Sequence, residues 1–334
     1  MADGLRWRLA GDDAGQGTLF DADELLDRHF GTGEFKGLEF LHVNARRIIN
    51  EVPASSRMPF RYTINAYRGC SHACAYCFAR PTHEYLGLNT GTDFESKIVV
   101  KINAVERVRA ELTSPKWTGE PIAMGTNTDP YQRCEGKYHL TRGIVEELTR
   151  VRNPFSILTK STLVLRDLDL LAEASRRTTV RVSLSIGTLD EEVWRTTEPG
   201  TPHPRQRVNA VRRLSEAGVQ TGVLVAPVIP GMSDGRDQVR EVVQACREAG
   251  AGSVSTIGLH LRPGVREHFM EWLQGARPDL VPQYRRLYGR GSYLPKAAQE
   301  RLAAAAAGSG KLRRGFTTGH ERDAQLTSDA GPQE

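Results

Sequence analysis

Three thiols fall within eight residues of this chain: Cys70, Cys74 and Cys77, in the segment TyrArgGlyCysSerHisAlaCysAlaTyrCysPheAlaArg at 67–80. The chain has five cysteines in all, and an odd, bunched set argues against a disulfide framework. In a reducing compartment such thiols more often hold metal. A four-iron, four-sulfur cluster is ordinarily held by four thiolates, so three leave one iron without a protein ligand. An open position is what a reactive metal site needs, as catalytic zinc sites show. Gly69 and the small residues between the thiols suit a loop that wraps closely around such a group. Zinc is the other reading of the same residues, with His72 as a fourth ligand beside the three cysteines. His72 lies between two of the ligands, an awkward place from which to close a tetrahedron, and there is no second CxxC pair. The iron–sulfur cluster is therefore the favoured expectation. Of the other two cysteines, Cys246 sits at apolar helical spacing and reads as core. Cys134, in TyrGlnArgCysGluGly, reads as a bystander loop thiol, the other reading being a thiol that reaches the same pocket from a mobile loop.

Positioning the thiols falls to an alternation of strands and helices. Strand patterns occur at 61–67, 121–124, 155–160, 180–186, 221–228 and 253–261. The clearest is Val180, Val182, Leu184 and Ile186, with period two. Between them, Ile102, Val105, Val108 and Leu112 have helical spacing, as do Ile144, Val145 and Leu148, and then Leu168 and Leu171. Val208, Val211 and Leu214 mark a helix that ends at Gly218, a left-handed cap, and Val239, Val242, Val243 and Cys246 one that ends near Gly250. Short connections between six such units imply right-handed βαβ crossovers and a parallel sheet, either open or curled. In both forms function gathers at the C-terminal ends of the strands, and the thiol loop follows the first strand. The sheet unit is expected over 61–265, a segment packing on it over 36–60, and a helical segment over 266–302. Residues 1–35, rich in Gly and Asp, read as a flexible extension, and 303–334 as a disordered tail.

Composition narrows the setting. The 334 residues are 39% hydrophobic and 25% charged, an ordinary globular balance. No stretch approaches the roughly 18 apolar residues of a membrane span. The N-terminus lacks the apolar core of a signal peptide, so the expected location is the cytoplasm, with no membrane partner. A net charge of +5 permits a polyanionic partner without demanding one. Lys311 to Arg314 form a small basic patch in the tail. Arg195, Arg205, Arg207, His260 and Arg262 follow late strands and read either as phosphate contacts for a substrate or as a solvated rim. A nucleic-acid-binding module with a structural metal site is the reading from a different class.

CxxxCxxC after the first strand of a βα unit, with the aromatic Tyr76 just before the third cysteine, resembles the radical S-adenosylmethionine superfamily over roughly residues 60–265. Within it the chain looks like the spore photoproduct lyase-like group, in its actinobacterial radical SAM protein branch. The segments that carry this are GlyThrAsnThrAspPro at 125–130, ThrLysSer at 159–161, LeuSerIleGly at 184–187, GluProGlyThrPro at 198–202 and LeuValAlaProValIlePro at 224–230. The resemblance implies an α/β fold, a partial (βα)6 TIM-like barrel of parallel strands with helices outside. It implies a [4Fe–4S] cluster on Cys70, Cys74 and Cys77, with S-adenosylmethionine on the open iron. A flavodoxin- or ferredoxin-type donor would supply the electron, and a 5′-deoxyadenosyl radical would abstract a substrate hydrogen.

The same resemblance assigns the cofactor pocket. Tyr76 would lie near the adenine, and Thr128 and Asp129 near the amino group, where a hydroxyl or carboxylate accepts from an ammonium. Lys160 would face the carboxylate of the methionine end. Ser185, rather than Ser183, would contact ribose or carboxylate. Each has a plainer reading: packing for Tyr76, a solvated lysine, a serine satisfied internally, and a turn-initiating Asp129 before Pro130. The sequence departs from the lyase pattern at Asn127, where those enzymes place a hydrogen-donating cysteine. An amide does not donate a hydrogen atom as a thiol does. DNA photoproduct repair is thus the alternative, and Cys134 the candidate catalytic thiol.

Overall fold

The computed structural model describes residues 24–56 and 58–307. Strand β1 (Glu24–Phe30) runs antiparallel to β2 (Glu39–Asn44), with Asp27 opposite His42. β3 (Ile49–Glu51) pairs antiparallel with β4 (Tyr62–Ile64). β5 (Tyr67–Arg68), the thiol loop and α1 (Thr92–Ser96) lead to β6 (Lys97–Lys101) and α2 (Ala104–Leu112). β6 pairs with β2 and β5 to complete a four-stranded sheet, β1-β2-β6-β5. Next come β7 (Ile122–Met124), α3 (Glu135–Tyr138), α4 (Leu140–Arg150), β8 (Phe155–Thr159) and α5 (Leu168–Arg177). They are followed by β9 (Val180–Ser185), α6 (Glu191–Thr197), α7 (Pro204–Glu216), β10 (Gln220–Val228), α8 (Arg236–Glu248) and β11 (Ser253–Gly258). Helices α9 (Val265–Ala276), α10 (Val281–Tyr288) and α11 (Lys296–Ala307) close the described chain.

The main sheet has the order β3-β4-β7-β8-β9-β10-β11, and its last six strands are parallel. They are the six strands expected from the sequence, laid side by side in chain order. Gly218 and Gly250 follow α7 and α8 with positive φ, as their cap role requires. Along β9 the pleat sorts residues: Val180, Val182 and Leu184 are buried in the core, and Arg181, Ser183 and Ser185 take the other face. That face is tightly curled. A Cβ on Gly222 of β10 would meet Ser183 Oγ at 2.9 Å and Arg181 Nη2 and Ser253 Oγ at 3.0 Å, so side chains of β9 and β11 converge over the glycine. β4 and β11 do not pair, which leaves the barrel partial. At its mouth Arg262 Nη2 donates to Phe78 O at 2.6 Å, tying the end of β11 to the thiol loop.

Three expectations change. The strand read at 61–67 is two strands in two sheets, because the chain leaves the main sheet after Ile64. Residues 24–30 form β1, where a flexible extension was expected; residues 1–23 lie outside the described residues. Helix α11 runs to Ala307, past the expected start of the tail, and the rest of that tail, Lys311 to Arg314 included, lies outside them too. The small sheet itself gave no period-two signal: Ile98, Val99 and Val100 are all fully buried, a continuous apolar run.

Gly125 ends β7 with φ +90°, and a Cβ there would stand 2.0 Å from Leu158 O of β8. Gly125→Ala is expected to destabilise the protein by about 3 kcal/mol or more. Thermal unfolding should show a midpoint lower by on the order of 5 °C or more.

Candidate active site

The thiol loop starts at Gly69, with φ +78°, where a Cβ would meet Lys97 O and Phe94 O at 2.9 Å. Cys70 N then donates to Phe94 O at 2.9 Å. Two tight turns follow, Ala73 N to Cys70 O at 3.3 Å and Cys77 N to Cys74 O at 3.2 Å. The loop has little regular structure, so its carbonyls need outside donors. Arg80, wholly buried, supplies one set: Nε and Nη2 to Cys74 O at 3.2 and 2.9 Å, Nη1 to Thr90 O and Gly91 O at 3.0 Å. Glu95 balances its charge. On the other side the loop after α6 clamps it: Ala75 N donates to Thr197 O, and Gly200 N to His72 O, both at 3.0 Å. A Cβ on Gly200 would stand 2.2 Å from Ser71 O. Burial is the main force pushing the Cys70, Cys74 and Cys77 thiols up in pKa, so binding a metal there releases protons.

His72, the fourth ligand in the zinc reading, is engaged elsewhere, with Nδ1 3.4 Å from Asp129 Oδ2. Among the described residues, Asp27, His29 and His42 on β1 and β2 bring ligand atoms within 4.8 Å of one another.

Lys160, Ser185 and Tyr76 are brought together beside this loop. Lys160 leaves β8 and sends Nζ to Ser185 Oγ at 2.6 Å and Ala226 O at 3.3 Å, 5.5 Å from the centre of the Tyr76 ring. Two further residues complete the group. Glu198 Oε1 lies 3.3 Å from Lys160 Nζ and accepts from the Tyr76 hydroxyl, while Oε2 accepts from Arg207 Nη2 at 2.5 Å. Arg207 also donates to Ser185 O at 2.9 Å and Pro202 O at 3.0 Å. Burial alone would raise the Glu198 carboxyl, but Arg207 and Lys160, with hydrogen bonds from Tyr76 and Arg207, hold it down at about 2. Glu198 opens the GluProGlyThrPro segment directly after α6, and an acid beside a Pro/Gly loop on the active face is the sequence signal that marks it. Arg207, read as a phosphate contact or rim residue, is 1% exposed and spent on the Glu198 ion pair.

The other candidates divide. Asp129 Oδ1 accepts from Tyr131 N at 2.9 Å and Thr159 Oγ1 at 2.6 Å, and Oδ2 from Lys160 N at 2.7 Å. It therefore makes the turn and braces the end of β8. Thr128 Oγ1 donates to Gly69 O at 2.6 Å and accepts from Gln132 Nε2 at 2.9 Å, which ties the loop after β7 to the thiol loop. Cys134 is fully buried at the start of α3, not on a mobile loop. Asn127 is exposed, and its backbone N–H is held by Asn65 Oδ1 at 3.1 Å. Arg195 and Arg205 are solvated, paired with Glu191 and Glu241. His260 stacks on exposed Tyr293 at 4.1 Å. No helix among the described residues is long and apolar enough to cross a membrane.

Residues 64–243 match the family model of the Radical SAM superfamily. An uncharacterized protein of Mycobacterium tuberculosis is 47% identical over 277 residues, covering 83% of this chain and 82% of that one. A radical SAM Nalpha-GlyT isomerase of Pseudomonas phage M6 is 25% identical over 186 residues, 55% of this chain and 36% of that one. Among solved structures, a spore photoproduct lyase variant with bound AdoMet and dinucleoside spore photoproduct superposes with a TM-score of 0.56 at 18% identity, covering 80% of each chain. That likeness is one of fold.

Glu198 has a depressed pKa, so its stabilising contribution is full above the ordinary value of 4.5 and is lost as pH falls towards about 2. Glu198→Gln leaves Arg207 buried without a counter-charge and is expected to cost about 3–5 kcal/mol at pH 7. Chemical denaturation at pH 7 and pH 3 should show the gap between wild type and variant narrowing at the lower pH. An equal gap at both would contradict the assignment.

Proposed function

Because the chain belongs to the radical SAM superfamily, we propose that it is an enzyme that carries a [4Fe–4S] cluster on Cys70, Cys74 and Cys77 and cleaves S-adenosylmethionine reductively. The observation that carries this is the Lys160 ammonium beside the thiol loop, 3.3 Å from Glu198 Oε1 and 5.5 Å from the centre of the Tyr76 ring, with 15% of its side chain exposed. A carboxylate, such as that of the methionine end, is a group that such an ammonium pairs with. The loop also suits a cluster: Ser71 Oγ, between the first two thiols, is buried without a hydrogen-bond partner, a free donor of the kind that cluster sulfurs accept.

When bound, the cluster supplies the electron that breaks the sulfonium–C5′ bond and frees a 5′-deoxyadenosyl radical to take a substrate hydrogen. The chain's own residues do the rest. The three cysteines would hold the cluster, one thiolate short of the four that ordinarily fill it. Lys160 orients the carboxylate, and Ser185, held by Ala226 O at 2.7 Å, keeps Lys160 in place. The Tyr76 ring shields the nucleoside end, and Thr128 and Asp129 hold the loops against each other. A flavodoxin- or ferredoxin-type protein of the cytoplasm is the electron donor in this reading, and the reducing environment keeps the thiols available.

A second reading, repair of DNA photolesions, draws on the fold shared with spore photoproduct lyase. Against it, Asn127 stands exposed where a thiol is needed. Incubation with irradiated DNA carrying the thymine adduct decides this, and no turnover removes it. A nucleic-acid-binding module with a structural metal would instead unfold on Cys70→Ala, where a catalytic-site variant stays folded.

Anaerobically reconstituted protein is expected to absorb broadly near about 400 nm through iron–thiolate charge transfer, and with dithionite to release 5′-deoxyadenosine from S-adenosylmethionine. Alanine at any of the three cysteines should abolish both. Purified protein holding one zinc and no iron would sink the proposal. Gly200→Ala, which drives a methyl into Ser71 O, should loosen the cluster about tenfold or more, read as faster iron loss to a chelator.

A further inference from the structure

One carboxylate touches residues from three separate elements of the pocket. Tyr76 belongs to the thiol loop, Lys160 to the end of β8, and Arg207 to α7, and all three meet on Glu198. The sharing is uneven. Oε2 is taken by Arg207 at 2.5 Å, and Oε1 serves both the Tyr76 hydroxyl and Lys160 Nζ. Arg207 is in turn fixed on Ser185 O and Pro202 O, so the carboxylate cannot turn without breaking several bonds. A free lysine loses much rotamer entropy when a ligand immobilises it. Here Glu198, Ser185 and Ala226 O hold Lys160 before any ligand arrives.

We infer that Glu198 is a positioning residue that couples the Tyr76 ring to the Lys160 ammonium, so that the nucleoside end and the amino-acid end of S-adenosylmethionine are recognised as one unit. The inference rests on the reading that S-adenosylmethionine occupies this pocket. Glu198 acts through its neighbours. The Tyr76 hydroxyl, spent on Glu198, limits how far Oε1 is drawn to Lys160. Removing that hydroxyl therefore disturbs recognition at Lys160, which shares Oε1 with it.

Tyr76→Phe keeps the ring and deletes only the donor. Calorimetric titration of the anaerobically reconstituted protein with S-adenosylmethionine is compared with 5′-methylthioadenosine, which lacks the amino-acid end. The variant should bind S-adenosylmethionine about three- to tenfold more weakly, the size of one hydrogen bond, and 5′-methylthioadenosine unchanged within about twofold. Glu198→Gln should show the same one-sided loss, larger; if it fails to fold, Tyr76→Phe alone decides. Equal weakening of both ligands, no change in either, or tighter S-adenosylmethionine binding overturns the inference. Wild-type protein that binds neither ligand overturns the parent reading, and the inference with it, a result distinct from any of these.

Discussion

A buried carboxylate must find its counter-charges, and the Glu198–Arg207 pair is the constraint around which the site is arranged. Both side chains are almost wholly enclosed, and breaking such a pair strands a charge at a cost of about 3–5 kcal/mol. The pair pins the Glu198–Pro202 loop to α7 and to the end of β9. Gly200 of that loop and Thr197, the last residue of α6, then supply the two backbone contacts that clamp the thiol loop. The buried ion pair thus bears on one side of the segment that carries the three cysteines. Lys160 is held by the same carboxylate together with Ser185 Oγ, Ala226 O and, through its backbone, Asp129.

Close approach of backbone to backbone is the second requirement. The thiol loop is squeezed between β6 on one side and the end of α6 with its following loop on the other, and a glycine permits the close approach on each side. Gly69 lies under Phe94 O and Lys97 O, and Gly200 against Ser71 O. Arg80 works in the opposite sense, filling with donors the space that a loop without regular hydrogen bonding leaves. Glycines bring the walls in, and one guanidinium satisfies the carbonyls so exposed. Thr128 and Gln132 do the same from the loop after β7, both bonded to Gly69 O.

Much of this was legible in the sequence, for local reasons. Val180, Val182 and Leu184 announce β9 because a strand buried on one face by helices shows period two. Gly218 announces the end of α7 because only a left-handed residue closes that turn. Cys70, Cys74 and Cys77 stand out because bunched thiols in a reducing compartment have few other uses, whereas Lys160 and Ser185 were singled out by the family resemblance alone, since a strand-end lysine is ordinarily solvated. The small sheet was not legible: its strands come from separated segments, and β5 has two residues. Glu198 and Arg207 were missed for a different reason. Nine residues apart, an acid in a Pro/Gly loop and an arginine on a helix look like two solvated charges until the tertiary fold buries them together.

Cys134 packs in the core, where the sequence alone suggested a loop. Lys160 retains 15% of its side chain, and Ser185, Cys70 and Cys74 between 6 and 7%. Cys134 and Cys246 retain none. Burial pushes the Cys134 thiol well up in pKa, and its neighbour Glu135 is tied to Tyr67, Thr141 and Arg166. The start of α3 is therefore a brace between β5, α4 and the loop after β8, with Cys134 filling its core. Together with the exposed amide at Asn127, this leaves Cys70, Cys74 and Cys77 as the thiols beside Tyr76 and Lys160 among the described residues. In the reading proposed above, the hydrogen that returns to a substrate radical then comes from the cofactor product, the substrate or a non-thiol donor.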